Sequence, residues 1–419
     1  MRYYLVAGEA SGDLHGSNLI KGLKMEDPQA EFRCWGGDLM QAEGAHLVKH
    51  YKECAIIGFV EVLMSMKKLL GNLDACKKDI LEYNPDVLIL IDYPGFNFRI
   101  AEFAKKKGIK VFYYIAPKVW AWKEKRVHRL REFVDKLFII FPFEVDYFKK
   151  WGINAIYRGN PLLDSVDNFK YANESREEFC SRCRVNPEKP IIALLAGSRR
   201  GEINYLLPRM AKIVSHYPNY QFILAGAPAT ETEIYKSVLD KFGIRLVLEN
   251  ELSGQDDCTA DSSNSSNSSN SSSNNSSNTG SSKCQAIKLL KGETYSILKH
   301  AQAAIISSGT ASLEAALIGT PQVVCYGGNE ISYRIAKHFV KLKYISLANL
   351  IMDAGLFKEL IQHDCTPQLI MQELDRLLND QPYREKMMKD YADVRTVLGG
   401  KGASAKVAQA MIEELKKMK

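Results

Sequence analysis

An apolar run, Ala304-Ile305-Ile306-Ser307, breaks on Ser308-Gly309-Thr310 and passes at once into the helical pattern Ala311–Leu317. Small residues at such a break leave backbone N–H groups uncovered at a helix N-terminus, where the dipole is positive. A phosphate or diphosphate can sit there, and Glu314, one turn on, could accept hydrogen bonds from a ligand's hydroxyls. The same pattern also suits an ordinary strand–helix junction with a Ser/Thr cap. A second break, Gly197-Ser198-Arg199-Arg200-Gly201, follows Ile191–Ala196 and carries two arginines. A guanidinium near a helix start can grip a diphosphate bidentately. Asp92 is the complementary group: it ends the apolar run Val87–Ile91 and precedes Tyr93-Pro94-Gly95-Phe96-Asn97. Acids at the carboxyl ends of parallel strands lie where ligands bind, and partial burial moves them toward the pKa of a useful base. A capping or turn aspartate is the alternative.

Two further segments could meet a ligand. Gly8-Glu9-Ala10-Ser11-Gly12-Asp13-Leu14-His15-Gly16 reads as a flexible loop between a strand, Tyr3–Ala7, and a helix, Ser17–Lys24. Its glycine spacing fits neither the dinucleotide fingerprint nor a P-loop, so it is either a ligand loop or a bare turn. Trp120 and Trp122 are followed by Lys123, Lys125, Arg126, His128, Arg129 and Arg131. Tryptophan mixed with basic residues suits a sugar phosphate or an anionic lipid surface; a solvated basic face is the plainer explanation.

The elements that must hold these residues recur in both halves. Strands at 3–7, 85–92, 111–116 and 136–141, the last closing the first sheet, match strands at 191–196, 221–225, 304–307 and 322–326. Repeated strand–turn–helix units mean an α/β chain of two doubly wound domains facing each other across a cleft. The boundaries fall at 1–163 and 188–395, joined by a charged connection between Pro161 and Pro187. A last segment, 396–419, carries a helix whose apolar face (Ala405, Val407, Ala408, Met411, Ile412, Leu415) must pack on the first domain or on a partner subunit. Residues 253–283 are mostly serine and asparagine, too polar to pack, and are expected to be a disordered surface insertion.

Composition narrows the class. A chain of 419 residues exceeds one ordinary core. The excess of 56 basic over 49 acidic residues is too small to imply a nucleic-acid partner. Nine cysteines suit reduced thiols, and Cys180-x-x-Cys183 lacks the second pair a zinc site needs. Met1–Ala7 reads as a strand, so no secretion signal is expected. The segment 56–70 is more apolar than a half-buried helix requires, with Phe59, Val60, Leu63, Met64 and Met66 ahead of Lys67, Lys68, Lys77 and Lys78. It fits either a helix in a membrane interface, or holding an acyl chain, or one that is fully buried.

Taken together, Ala7–Asp13, Met40–Gly44, Gly58–Leu63, Ile91–Asn97, Pro117–Trp122, Gly197–Arg199, Ser308–Glu314 and Ser346–Leu350 resemble bacterial lipid-A-disaccharide synthases over essentially the whole chain. That resemblance implies the GT-B fold and transfer of 2,3-diacylglucosamine from UDP to the 6-hydroxyl of 2,3-diacylglucosamine 1-phosphate. It implies that Asp92 and Arg199 match the essential aspartate and arginine. UDP would rest on Ser198, Arg199, Ser308, Gly309, Thr310, Glu314 and Asn349, and the acceptor near Ser11, Gly12, Asp13, Asn97 and Trp120. It further implies a cytoplasmic enzyme, peripheral on the inner membrane, compatible with a homodimer and using no cofactor. No Asp-x-Asp stands where it could hold a metal. Two departures are visible: Gly95 stands where the family often has a second acid, and the Ser/Asn-rich insertion is foreign to the pattern.

Overall fold

The computed structural model describes residues 1–54, 62–121, 124–228, 230–251, 285–328 and 343–418. The expected insertion at 253–283, together with Phe59, Val60 and Trp122, lies outside them. Leu63, Met64 and Met66 fall in the helix Val62–Tyr83, but their side chains are outside the description.

Seven strands form the first sheet: β1 (Arg2–Ala7), β2 (Glu31–Gly36), β3 (His46–His50), β4 (Val87–Ile91), β5 (Val111–Tyr114), β6 (Lys136–Ile139) and β7 (Ala155–Tyr157). Their order is β3-β2-β1-β4-β5-β6-β7, parallel throughout. The second sheet holds β8 (Ile191–Leu195), β9 (Gln221–Gly226), β10 (Arg245–Val247), β11 (Ala286–Lys291), β12 (Ala301–Ser307), β13 (Gln322–Tyr326) and β14 (Glu359–Ile361). It is ordered β10-β11-β9-β8-β12-β13-β14 and is also parallel. Helices cover both faces of such sheets, so the central strands β4 and β8 are apolar and buried at every position. The chain is therefore two Rossmann-like halves facing across a cleft. The expectation that 136–141 closes the first sheet is corrected: β7 pairs outside β6.

A second correction concerns residues 8–16. Only Gly8 and Glu9 are left as a turn: the helix starts at Ala10 and runs to Glu26. Its glycines serve packing rather than flexibility. A Cβ on Gly12 would lie 3.1 Å from the Ala7 Cβ, and one on Gly16 2.7 Å from the Met40 Sδ. Gly22, further along, lets the helix Ala403–Lys417 approach, since a Cβ there would stand 2.9 Å from that of Ala408.

That last helix buries Val407, Ala408, Met411, Ile412 and Leu415 and contacts the Ala10–Glu26 helix of the first half. Asp164 caps its start, accepting from Gly402 N at 2.6 Å and Ser404 N at 2.9 Å. A carboxylate there also complements the helix dipole. Lys136–Glu414 and Arg395–Asp167 ion pairs add to the closure. The connection between the halves contains its own helix, Arg176–Cys183, opened by a Ser175/Glu178 capping box and buried through Phe179, Cys180 and Cys183. Both cysteines are free thiols.

Candidate active site

In the first sheet the chain travels outward from β1 through β2 and β3, then returns to place β4 on the other side of β1. The crevice beyond the carboxyl ends of β1 and β4 is thus the switch point of the sheet, the usual ligand position of an open α/β fold. Gly8-Glu9 and Asp92-Tyr93 stand on its two sides, and Ala7 pairs directly with Ile91.

The backbone is strained here. Asp92 (φ 44°), Tyr93 (φ 46°) and Ile115 (φ 62°) are all left-handed, and for a β-branched residue that conformation is exceptional. Each costs about 1–3 kcal/mol and persists only where its surroundings enforce it. Here the enforcement is visible. Asn97 donates through Nδ2 to Asp92 O at 2.8 Å and Ile91 O at 3.2 Å, and the Tyr113 hydroxyl donates to Asp92 O at 2.6 Å. The Tyr93 ring lies over Gly8, where a Cβ would fall 2.3 Å from a ring carbon. The main chain of Asp92 is thereby clamped, which fixes where its carboxylate stands.

That carboxyl is half-buried, and burial lifts it from 3.8 to about 6, with the negative charge of Glu9 adding to the rise. The Lys118 ammonium and the Tyr93 N–H pull the other way. Beyond the end of β6, Glu144 is 1% exposed, and burial raises its carboxyl to about 7. It accepts from Trp120 Nε1 at 3.0 Å, Phe141 N at 3.1 Å and Ile140 N at 3.3 Å. Lys118 sits within electrostatic reach of both acids, and desolvation pushes its ammonium below the usual lysine value.

In the second half β8 and β12 are neighbours, with Leu195 paired to Ile306. Their carboxyl ends flank that sheet's switch point, so the two small-residue breaks lie side by side. Gly197 has φ +97°, and a Cβ there would fall 2.4 Å from Glu202 Oε2, so the turn admits only glycine without strain. Ser198 N donates to that oxygen at 3.2 Å. Arg199 precedes the helix Arg200–Ala211; its side chain is 83% exposed and, among the described residues, held only by a 3.7 Å contact with Glu202. Ser308 N is taken by Cys325 O. Gly309 and Thr310 are exposed at the start of the helix Thr310–Ile318, and among the described residues no side chain caps its first amides. Glu314 accepts from the Tyr295 hydroxyl at 3.1 Å through Oε1, and burial raises its carboxyl above the ordinary glutamate value.

Some expected contacts have different work. The Asp13 carboxylate is 3% exposed and fully engaged by Gly37 N (2.8 Å), Met40 N (3.1 Å) and Leu39 N (3.1 Å). It fixes the turn after β2. Asn349 is fully buried; its amide serves Phe357 O, Glu359 Oε1 and Leu356 N, so it cannot also hold a nucleotide. Asn97 acts on the Asp92 backbone, and Gly12 provides close packing. Ser11 is exposed and Trp120 half-buried at the crevice. Glu144 and Tyr295 join the site from the structure, which also singles out Glu9 and Lys118 within segments already marked in the sequence.

Comparison with known proteins finds relatives along nearly the whole chain. The family model described as lipid-A-disaccharide synthetase matches residues 3–260 and 270–413. A lipid-A-disaccharide synthase of Geobacter metallireducens is 34% identical, with 99% of this chain and 98% of the relative covered. One from Nitrosococcus oceani is 34% identical over 98% and 95%. Among solved structures, a UDP-GlcNAc 2-epimerase from Neisseria meningitidis bound to UDP-GlcNAc superposes with a TM-score of 0.60 at 13% identity, covering both chains fully. A UDP co-structure of MnaA from S. aureus gives 0.64 at 11% identity, covering 100% of this chain and 97% of that one. Those two likenesses establish the fold.

Proposed function

This chain belongs to the lipid-A-disaccharide synthetase family, and from that premise we propose how its residues carry the reaction. It is a glycosyltransferase that condenses UDP-2,3-diacylglucosamine with 2,3-diacylglucosamine 1-phosphate, giving the β-1,6-linked disaccharide 1-phosphate and UDP. The donor is α-linked and the product β-linked, so a single inverting displacement suffices. The acceptor 6-oxygen attacks C1 from the face opposite the diphosphate. Its proton passes to Asp92 as the C1–O bond forms, while the bond to the diphosphate breaks with its electron pair going to UDP.

The observation that carries this reading is the clamped, partly buried Asp92 at the switch point, with a carboxyl lifted to about 6. Such a group is ionised at neutral pH yet basic enough to accept a proton in the transition state. Negative charge growing on UDP would be met by Arg199, Ser198 and the uncapped amides at Gly309 and Thr310. Glu314, which accepts from the Tyr295 hydroxyl, would meet the donor's hydroxyls. Asn97 and Tyr113 position Asp92.

Both substrates carry acyl chains, so the site would be served from a membrane surface, with the chain peripheral on the cytoplasmic face of the inner membrane. No helix among the described residues is long and apolar enough to cross a bilayer. Lys125 and Arg131 are exposed and would suit anionic headgroups. The apolar segment 56–70 would contribute the acyl contact, and a homodimer is compatible with this arrangement.

A UDP-release assay tests the reading. Release should need both lipid substrates and should match formation of a β-linked disaccharide mole for mole. UDP release from donor alone at the same rate, or epimerisation of soluble UDP-N-acetylglucosamine, would reject it.

A further inference from the structure

We infer that a cavity between the helix Arg200–Ala211 and the start of the helix Pro367–Asn379 binds a phosphate ester, at a place of its own apart from the diphosphate position. The cavity measures about 490 Å³, within the ~300–1,000 Å³ of small-ligand sites.

Its walls carry positive charge and no compensating acid. Arg209, Lys212 and His363 line it, and none of the described residues lining it is acidic. Arg209 and Lys212 stand one turn apart at the end of the first helix. Thr366 and Pro367 bring the N-terminus of the second helix into the wall, and that helix has no acid in its first turn. Its dipole therefore adds to the field of the two side chains. Phe242 and Pro367 give the cavity an apolar side, which suits the organic part of an ester better than a bare inorganic ion.

Arg209 is held ready for an anion. Its half-buried guanidinium lies on the Tyr205 ring, 3.7 Å from the ring centre. Nε donates to Cys365 O at 2.8 Å and Nη1 to Tyr205 O at 2.5 Å. Tyr205 is itself fixed, its hydroxyl donating to Gln362 O at 3.0 Å. These contacts set the plane of the guanidinium and leave Nη2 without a partner among the described residues. The Lys212 ammonium likewise makes no hydrogen bond or ion pair among them. A guanidinium already locked in place loses little freedom on meeting a phosphate oxygen, and a lysine beside it supplies a second charge. Ten residues separate Arg209 from Arg199, about 15 Å along one helix, so the two arginines serve different phosphates.

The test uses the full chain with UDP present and two probes of the same chemistry. sn-Glycerol 3-phosphate is titrated by calorimetry, and phosphatidylglycerol vesicles diluted in phosphatidylcholine are followed by cosedimentation. Lys212→Glu should weaken binding of at least one probe by about 10- to 30-fold, two charge steps of about fivefold each. Arg209→Lys, which keeps the charge and loses the fork, should weaken it by about tenfold. Lys212 is exposed, so Lys212→Glu should leave the urea midpoint and UDP affinity unchanged. A loss that includes glycerol phosphate assigns a soluble ester; a loss confined to vesicles assigns a lipid headgroup. Unchanged binding of both probes in Lys212→Glu overturns the proposal, as does the lack of saturable binding to the unmodified chain. So does an equal loss in Lys389→Glu, an exposed lysine outside the cavity, because net charge alone would then explain the effect.

Discussion

Replacing Asp92 by Asn should abolish turnover and, at neutral pH, make the protein more stable. Burial and Glu9 lift the folded carboxyl from 3.8 to about 6. At about 1.4 kcal/mol per pH unit, keeping it ionised costs the native state about 3 kcal/mol, or about 1–3 once water in the half-open crevice is allowed for. The sign follows from linkage. Below pH 3.8 the carboxyl is protonated in both folded and unfolded chains, and the cost is absent. It grows as pH rises from 3.8 to about 6 and is complete above that. Asn is close in shape and carries no charge, so it removes the cost while leaving the clamp from Asn97 and Tyr113 in place. Urea unfolding followed by tryptophan fluorescence, at pH 4.5 and 7.5, reads the difference. The variant's midpoint should exceed that of the unmodified chain at pH 7.5, with the gap much reduced at pH 4.5. In parallel, UDP release should fall by about 10²–10⁴-fold, the usual worth of a general base, with UDP affinity retained. A variant that is destabilised equally at both pH values, or that keeps strong turnover, would refute the reasoning.

Arg199→Ala should leave the urea midpoint nearly unchanged, since the side chain is 83% exposed and only loosely paired. UDP affinity, measured calorimetrically, should fall by about tenfold or more through loss of a charge-assisted contact. Gly197→Ala, at φ +97° and 2.4 Å from Glu202 Oε2, should cost about 1–3 kcal/mol in unfolding experiments and also weaken UDP binding, because the turn must shift. Asp164→Ala removes the cap of the last helix, worth about 1–2 kcal/mol, and should speed amide exchange within 403–417 ahead of global unfolding.

Much of this architecture was legible in the chain because central parallel strands are apolar at every position, as in β4, β8 and most of β12. Edge strands were not. β3 carries His46, Lys49 and His50 and is nowhere fully buried, so no apolar run marks it. β11, one strand in from the edge, hides its identity behind Lys288, a 3% exposed lysine whose ammonium bonds the carbonyls of Leu248 (2.8 Å) and Glu249 (3.2 Å). Glycines misled at 8–16, where close approach of a helix rather than flexibility calls for them. The site divides in the same way. Asp92 could be read as an acid ending an apolar run, and the two breaks as helix starts. Glu144 could not, because what brings the end of β6 into one row with that of β4 is the lateral order β4-β5-β6. Asn349 looked like a ligand contact because its true partner, Glu359, lies ten residues away on β14.

The most direct test of the central claim is a crystal structure of the Asp92→Asn chain with UDP and the lipid acceptor bound together. The account predicts the acceptor 6-oxygen within about 3 Å of the carboxamide introduced in place of the Asp92 carboxylate. The diphosphate should lie against the amides of Gly309 and Thr310 and the Arg199 guanidinium. A 6-oxygen directed at Glu9 or Glu314 instead, or a diphosphate seated away from the ends of β8 and β12, would contradict it.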